Sequence, residues 1–178
     1  MEGKVTVKKL PRFKGEEKVP FMLLVALGTL VLDQLSKLLV RRLMWEGESI
    51  VVVPRVFHLT YIRNPGAAFG LLAHQTAFFI GIALVVVGAV LFGHRYIPDE
   101  SRAMRFALGL LAGGALGNLL DRLRFGRVVD FLDFRVWPVF NLADTAIVIG
   151  ACLLVLEVWR RDRRGGGPEQ EMNPDARH

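Results

Sequence analysis

Residues 117–144 read GNLLDRLRFGRVVDFLDFRVWPVFNLAD. They finish one apolar run, Phe106–Leu120, and lead into another, Thr145–Trp159. The stretch holds four acids: Asp121, Asp130, Asp133 and Asp144. Carboxylates at the edge of a bilayer are costly unless they are paired, hydrated or functional. Two of them carried to one place by two membrane helices would form an acid/base pair. The fold expected from this stretch outward is an all-α membrane protein. It is a four-transmembrane-helix bundle with a small extracytoplasmic β-rich segment between the first and second spans.

The composition agrees. The chain has 178 residues, 52% of them apolar, with mean hydropathy +0.38. The apolar residues come in blocks long enough to cross a bilayer, not in an amphipathic period. Upstream, the spans are Phe21–Val40 and Thr76–Phe92; downstream of the acidic stretch lies Asn141–Trp159. The first run is too long for a cleaved signal-peptide core and is followed by Arg41-Arg42, so it reads as a retained helix. In the third span Gly109, Gly113 and Gly117 recur every four residues. Such a small-residue stripe lets helix backbones approach closely in lipid. Asp121 continues the stripe and is expected on the packed face.

Asp33 and Lys37 lie one turn apart in the first span, acid before base, as a helical ion pair prefers. Residues 44–72 are rich in Val, Ile, Phe and Tyr and end in the turn-forming RNPGAAFG (63–70). They read as short strands, a cradle at the membrane surface. His58 within them is more often structural than a catalytic base. FLDF (131–134) could be another surface strand, with a solvated Asp133.

Fourteen Lys and Arg residues fall in segments 1–20, 95–105 and 160–178, against eight in 41–75 and 121–140. This bias puts both termini in the cytoplasm. Residues 1–19 then form a basic cytoplasmic extension, residues 20–160 the four-span catalytic domain, and residues 161–178 a polar, disordered cytoplasmic tail. Arg41, Arg42, Arg122, Arg124, Arg127 and Arg135 fall on the side that the bias disfavours; lipid phosphates or the acids are their expected partners. The net charge of +6 reports membrane orientation and not a nucleic-acid partner. One cysteine, Cys152, and the lack of a His-rich motif argue against a metal or cofactor.

Asn64, Asn118, Asp121, Asp130, Asn141 and Asp144 all fall at the outer end of the bundle. Two carboxylates held close share a proton, which supplies one acid and one base near neutral pH. Residue chemistry alone leaves open a peptidase dyad, a small proton- or ion-coupled transporter and a structural bundle. Either Asp121 or Asp130 could partner Asp144. Asp121 is next to Arg122, which would hold it ionised. Asp130 is flanked by Val128-Val129 and Phe131-Leu132, and desolvation there favours the protonated form.

DQLSK (33–37), RNPGAAFG (63–70), GNLLDR (117–122), VVDF (128–131) and FNLAD (140–144), in this order and against four spans, resemble the bacterial lipoprotein signal peptidase family. The resemblance implies an aspartyl endopeptidase of the bacterial inner membrane. Its substrates would be prolipoproteins, cut just before a diacylglyceryl-modified cysteine, and globomycin would inhibit it. The family's catalytic aspartates fall on Asp130 and Asp144. Its supporting residues fall on Asp33, Lys37, Asn64, Gly66, Asn118, Asp121, Arg122, Asn141 and Ala143. The 13 residues between Asp130 and Asp144 make a shorter outer loop than typical members carry.

Overall fold

The computed structural model describes residues 18–66, 75–93 and 101–165. Residues 1–17, 67–74 (which include Ala67 and Ala68 of RNPGAAFG), 94–100 and 166–178 lie outside the described residues. Among the described residues, four helices are long and apolar enough to cross a membrane: α1 (Lys18–Leu43), α2 (Thr76–Gly93), α3 (Arg102–Phe125) and α4 (Leu142–Gly165). The chain is a multi-pass membrane protein. Outward-facing apolar side chains such as Leu24 (67% exposed), Val85 (71%) and Val155 (68%) would be anomalous against water as a continuous belt, and ordinary against lipid.

The helices run past the apolar runs because a helix ends where its last carbonyls find a cap, not where hydropathy falls. In α3, Ser101 caps the start, its hydroxyl accepting from Met104 N at 3.1 Å. Gly126 ends it in the left-handed region (φ 68°), its N–H bonded to Arg122 O, a position that glycine occupies without steric cost.

Helix α3 is the central element, packed on α1, α2 and α4, and the glycine stripe explains why. A Cβ at Gly109 would stand 2.7 Å from Val25 Cβ, and one at Gly113 would stand 2.5 Å from the Ala26 carbonyl oxygen. A Cβ at Gly117 would run into the Asp33 carboxylate. The stripe therefore receives α1, while Gly114 and Gly150 admit the α3–α4 contact. Gly113→Ala should cost about 1–3 kcal/mol through overpacking. Gly88→Ala, with nothing near its Cβ, should be neutral or slightly stabilising. Thermal midpoints in detergent test this; equal midpoints for the two variants would mean that α1 and α3 do not meet along the stripe.

The β structure is only partly as expected. Strands β1 (Ser49–Val53) and β2 (Phe57–Asn64) do form between α1 and α2, as an antiparallel pair. A third strand, β3 (Val128–Asp133), joins β2 from the connection between α3 and α4. The β-rich segment is therefore not confined to the region between the first two spans. VVDFLD has strand composition, and β2 offers it an edge of unpaired backbone groups. Ile62 pairs with Asp130 and Asn64 with Val128. Beneath the sheet, Val40, Met44, Tyr61, Val129 and Phe131 form a core that fixes it to the end of α1.

The chain then doubles back. Phe140 O accepts from Phe131 N and Leu132 N at 2.9 and 2.8 Å, and Phe140 N donates to Leu132 O at 3.1 Å. This bridge closes the 133–139 loop and returns Asn141 to the side of Asp130. Asp133 is buried, not solvated. It accepts from Thr60 Oγ1 at 2.7 Å, Arg135 N at 2.9 Å and Arg135 Nη1 at 3.0 Å. Burial pushes its pKa up, but these bonds outweigh burial and hold it below the usual carboxylate range. They also pin Arg135 in its left-handed turn conformation (φ 65°).

Candidate active site

The start of α4 carries Asp144 and is built by a reciprocal cap. Asn141 is the N-cap: its Oδ1 accepts from Asp144 N at 2.9 Å, and Asp144 Oδ2 accepts from Asn141 N at 3.3 Å. This is the logic of a capping box, written Asn-x-x-Asp. Another first-turn donor, Ala143 N, is taken by Asp33 Oδ1 of α1 at 3.0 Å. Asp144 thus sits on a helix end in which the N–H groups of Asn141, Ala143 and Asp144 have acceptors, at a fixed position relative to α1.

Asp130 is carried on β3 and is buried. Its Oδ1 accepts from Asn141 Nδ2 at 2.6 Å and its Oδ2 from Asn64 Nδ2 at 2.9 Å. Asp144 Oδ1 accepts from Asn118 Nδ2 at 2.7 Å. Asn141 Nδ2 also reaches Asn118 Oδ1 at 3.1 Å. One chain of amides, Asn64–Asp130–Asn141–Asn118–Asp144, therefore spans both carboxylates. Both aspartates line one cavity of about 320 Å³ with Asn64, Gly66, Arg122 and Trp137. Burial, and after it the neighbouring Asp144 charge, raise the Asp130 pKa to about 7; the bonds from Asn64 and Asn141 oppose the rise.

A second cluster lies behind the cavity. Lys37 Nζ is 2.9 Å from Asp33 Oδ2, 3.1 Å from Asp121 Oδ2 and 3.0 Å from Asn118 Oδ1. All three charged side chains are 0% exposed. The expected Asp33–Lys37 pair is thus a triad, and the partner of Asp121 is Lys37, not Arg122. The physical reason is direction. Asp121 lies on the glycine stripe facing α1, whereas Arg122 stacks on Phe79 at 4.8 Å and faces the cavity. The two acids of the triad also grip the backbone just before each cavity aspartate. Asp33 holds Ala143 N, ahead of Asp144, and Asp121 Oδ2 accepts from Val129 N at 3.1 Å, ahead of Asp130.

The named residues therefore fall into two layers. Asn64, Gly66, Arg122, Asp130 and Asp144 line the cavity. Asp33, Lys37, Asn118, Asp121, Asn141 and Ala143 form the support behind it. His58 lies outside the lining, its Nδ1 3.3 Å from Ser49 Oγ on the sheet. Gln34 was missed: its Nε2 donates to Asp33, to Asp121 and to Gly117 O at 3.1–3.2 Å. A polar residue beside Asp33 in an apolar span was the signal that could have found it. Among the described residues no group of three His, Cys, Asp or Glu is disposed to hold a metal ion.

Two solved structures, each described as a bacterial membrane enzyme, share this fold. One superposes with TM-score 0.76 at 32% identity over 85% of this chain and 94% of its own. The other gives 0.70 at 34% identity, over 79% and 93%. The lipoprotein signal peptidase of Pelotomaculum thermopropionicum is 56% identical over 134 residues, 75% of this chain and 88% of that protein. Those of Moorella thermoacetica and Geobacter sulfurreducens are 55% and 44% identical, over 76% and 79% of this chain and 90% and 92% of theirs. The family model for signal peptidase II matches residues 25–160, which take in most of the first and fourth spans, all of the second and third, the sheet and both cavity aspartates. With that match and these identities, the chain belongs to the signal peptidase II family.

Proposed function

We propose that this protein is a membrane-embedded aspartyl endopeptidase. It removes signal peptides from prolipoproteins by cutting before a diacylglyceryl-modified cysteine, with Asp130 and Asp144 as the catalytic pair. The observation that carries the aspartyl mechanism is the shared cavity: two carboxylates on one amide chain, with Asp130 raised to about 7. Asp144, as carboxylate, takes a proton from a water as its oxygen attacks the scissile carbonyl. Asp130 gives its proton to the carbonyl oxygen, forming a gem-diol. On collapse the C–N bond breaks, the leaving nitrogen takes the proton held by Asp144, and Asp130 recovers one from the diol. Arg122, in the same cavity, would orient the substrate carbonyls.

A lipidated substrate fits the surroundings. An apolar groove of about 390 Å³ runs from Asp144 past Thr145 and Val148 to Phe134, Trp137 and Phe140. It leads from the carboxylate to the belt that lipid would cover. Globomycin, as a peptide that occupies such a site, would compete with substrate. The alternative of an ion-coupled transporter draws no support from the relatives.

The basic-residue bias supports both termini in the cytoplasm and the sheet and cavity at the outer face, with 1–19 and 161–178 as cytoplasmic extensions. A reporter at Gly47 should then read external; a cytoplasmic reading would reverse the orientation.

The pH profile tests the pair. Turnover needs one proton on the dyad, so the profile should be bell-shaped, both limbs belonging to the coupled pair. The alkaline limb should fall near pH 7, where the pair loses its shared proton. Asn64 favours the Asp130 carboxylate, so Asn64→Ala should raise that pKa and move the alkaline limb to higher pH. A shift to lower pH, or a profile flat from pH 5 to 9, contradicts the assignment.

A further inference from the structure

Several arginines at the sheet end of the bundle have partners that explain them. Arg63 pairs with Glu46 at 3.3 Å, Arg135 pairs with Asp133, and Arg122 faces the cavity. Of the others, which include Arg42, Arg55 and Arg127, Arg41 and Arg124 share a groove. It lies between the ends of α1 and α3, and its walls are Val31, Leu35 and Leu38. Arg41 stacks on Phe125 at 4.7 Å, and its Nη1 is buried without a hydrogen-bond partner among the described residues. A buried, unsatisfied guanidinium nitrogen calls for an acceptor. Arg124 reaches only Gln34 Oε1, at 3.4 Å. The Gln34 amide is held oxygen-outward because its nitrogen is engaged by Asp33, Asp121 and Gly117 O. No acid lines the groove, and neither arginine has a carboxylate partner among the described residues.

We propose that this groove binds an anionic membrane phospholipid, with Arg41 and Arg124 on the headgroup phosphate and Leu35 and Leu38 against the acyl chain. Guanidinium forks match phosphate oxygens in geometry and charge. The two leucines are 52% and 39% exposed beside the guanidiniums, so cationic and apolar surfaces are contiguous, as a lipid requires and a free anion does not. The phosphate would pair with the part of the Arg41 guanidinium that lines the groove. The groove is separate from the cavity of Asp130 and Asp144, so this site does not depend on the catalytic assignment.

The test uses the full chain in a neutral detergent, with phosphatidylglycerol or phosphatidylcholine of matched acyl chains added and bound lipid read by native mass spectrometry. Wild type should retain phosphatidylglycerol in preference to phosphatidylcholine. Arg41→Gln/Arg124→Gln should weaken that retention by about tenfold, the loss of two charge-assisted contacts, while cleaving precursor at the wild-type rate in lipid-free detergent. Equal retention of the two lipids by wild type, or undiminished retention by the double variant, overturns the proposal. A measurement free of any variant stands beside it: phosphatidylglycerol should raise the wild-type thermal midpoint, and inorganic phosphate should not. An equal rise with inorganic phosphate would make the site one for a free anion, and the lipid assignment would fail.

Discussion

Asp130→Asn and Asp144→Asn are each expected to leave a folded protein with no detectable turnover. Asparagine keeps the size of the side chain and one of the two acceptor oxygens, so each variant gives up one of the two bonds that the carboxylate accepts and should still fold. What is lost is the exchangeable proton. Asp130 has no neutral-pH substitute among the cavity residues, and Arg122, always charged, cannot act as a base. The double variant should be no worse than either single, because the two act as one unit. Asp121→Asn is the informative contrast. Asp121 touches Lys37, Gln34 and Val129 N and does not line the cavity, so its loss should lower stability and leave measurable turnover in whatever protein folds. Turnover in Asp130→Asn together with none in folded Asp121→Asn would move the pair to Asp121/Asp144.

Lys37→Met is expected to have the largest effect on folding. It removes the only cation from a cluster that is 0% exposed and leaves Asp33 and Asp121 facing each other. Breaking a buried pair from one side costs about 3–5 kcal/mol, a large share of the stability of a chain this size. Folded yield and thermal midpoint should fall together. If Lys37 served Asp33 alone, exchanging the two residues would restore much of the loss. Because it serves Asp121 and Asn118 as well, Asp33→Lys/Lys37→Asp should not recover: the new aspartate would oppose Asp121, and Ala143 N would lose its acceptor. Removing every charge, as in Lys37→Met with Asp33→Asn and Asp121→Asn, should recover more than the exchange does. A wild-type midpoint for Lys37→Met, or recovery by the exchange, would show that the triad does not act as one cluster.

What could be read from the residues alone follows a physical line. The spans, the glycine stripe and the place of Asp121 on its packed face are local features, set by hydropathy and by a four-residue period within one helix. The Asp33–Lys37 pair was legible for the same reason. Its second acid was not, because the Lys37–Asp121 contact depends on how α1 crosses α3, and the neighbouring Arg122 offered a nearer cation in sequence. The third strand was open as a possibility in FLDF, but its pairing with β2 joins Ile62 to Asp130 and Asn64 to Val128, and no local period encodes that. The Asn141/Asp144 cap was present in FNLAD, at the spacing of a capping box, and is the one part of the site that closer attention to helix-start signals would have found. The amide chain through Asn118 was beyond reach, since it needs β2, α3, β3 and the start of α4 to arrive together. Each asparagine was named, but none could be assigned the carboxylate that it holds.

One measurement tests the aspartyl pair most directly: purified protein incubated with a prolipoprotein carrying diacylglyceryl-cysteine, the products identified by mass spectrometry, with wild type, Asp130→Asn and Asp144→Asn in parallel. Wild type should release a signal peptide and a protein that begins with the lipidated cysteine, and neither variant should release either product. Cleavage by both folded variants at a substantial fraction of the wild-type rate would contradict the aspartyl pair, whatever the family.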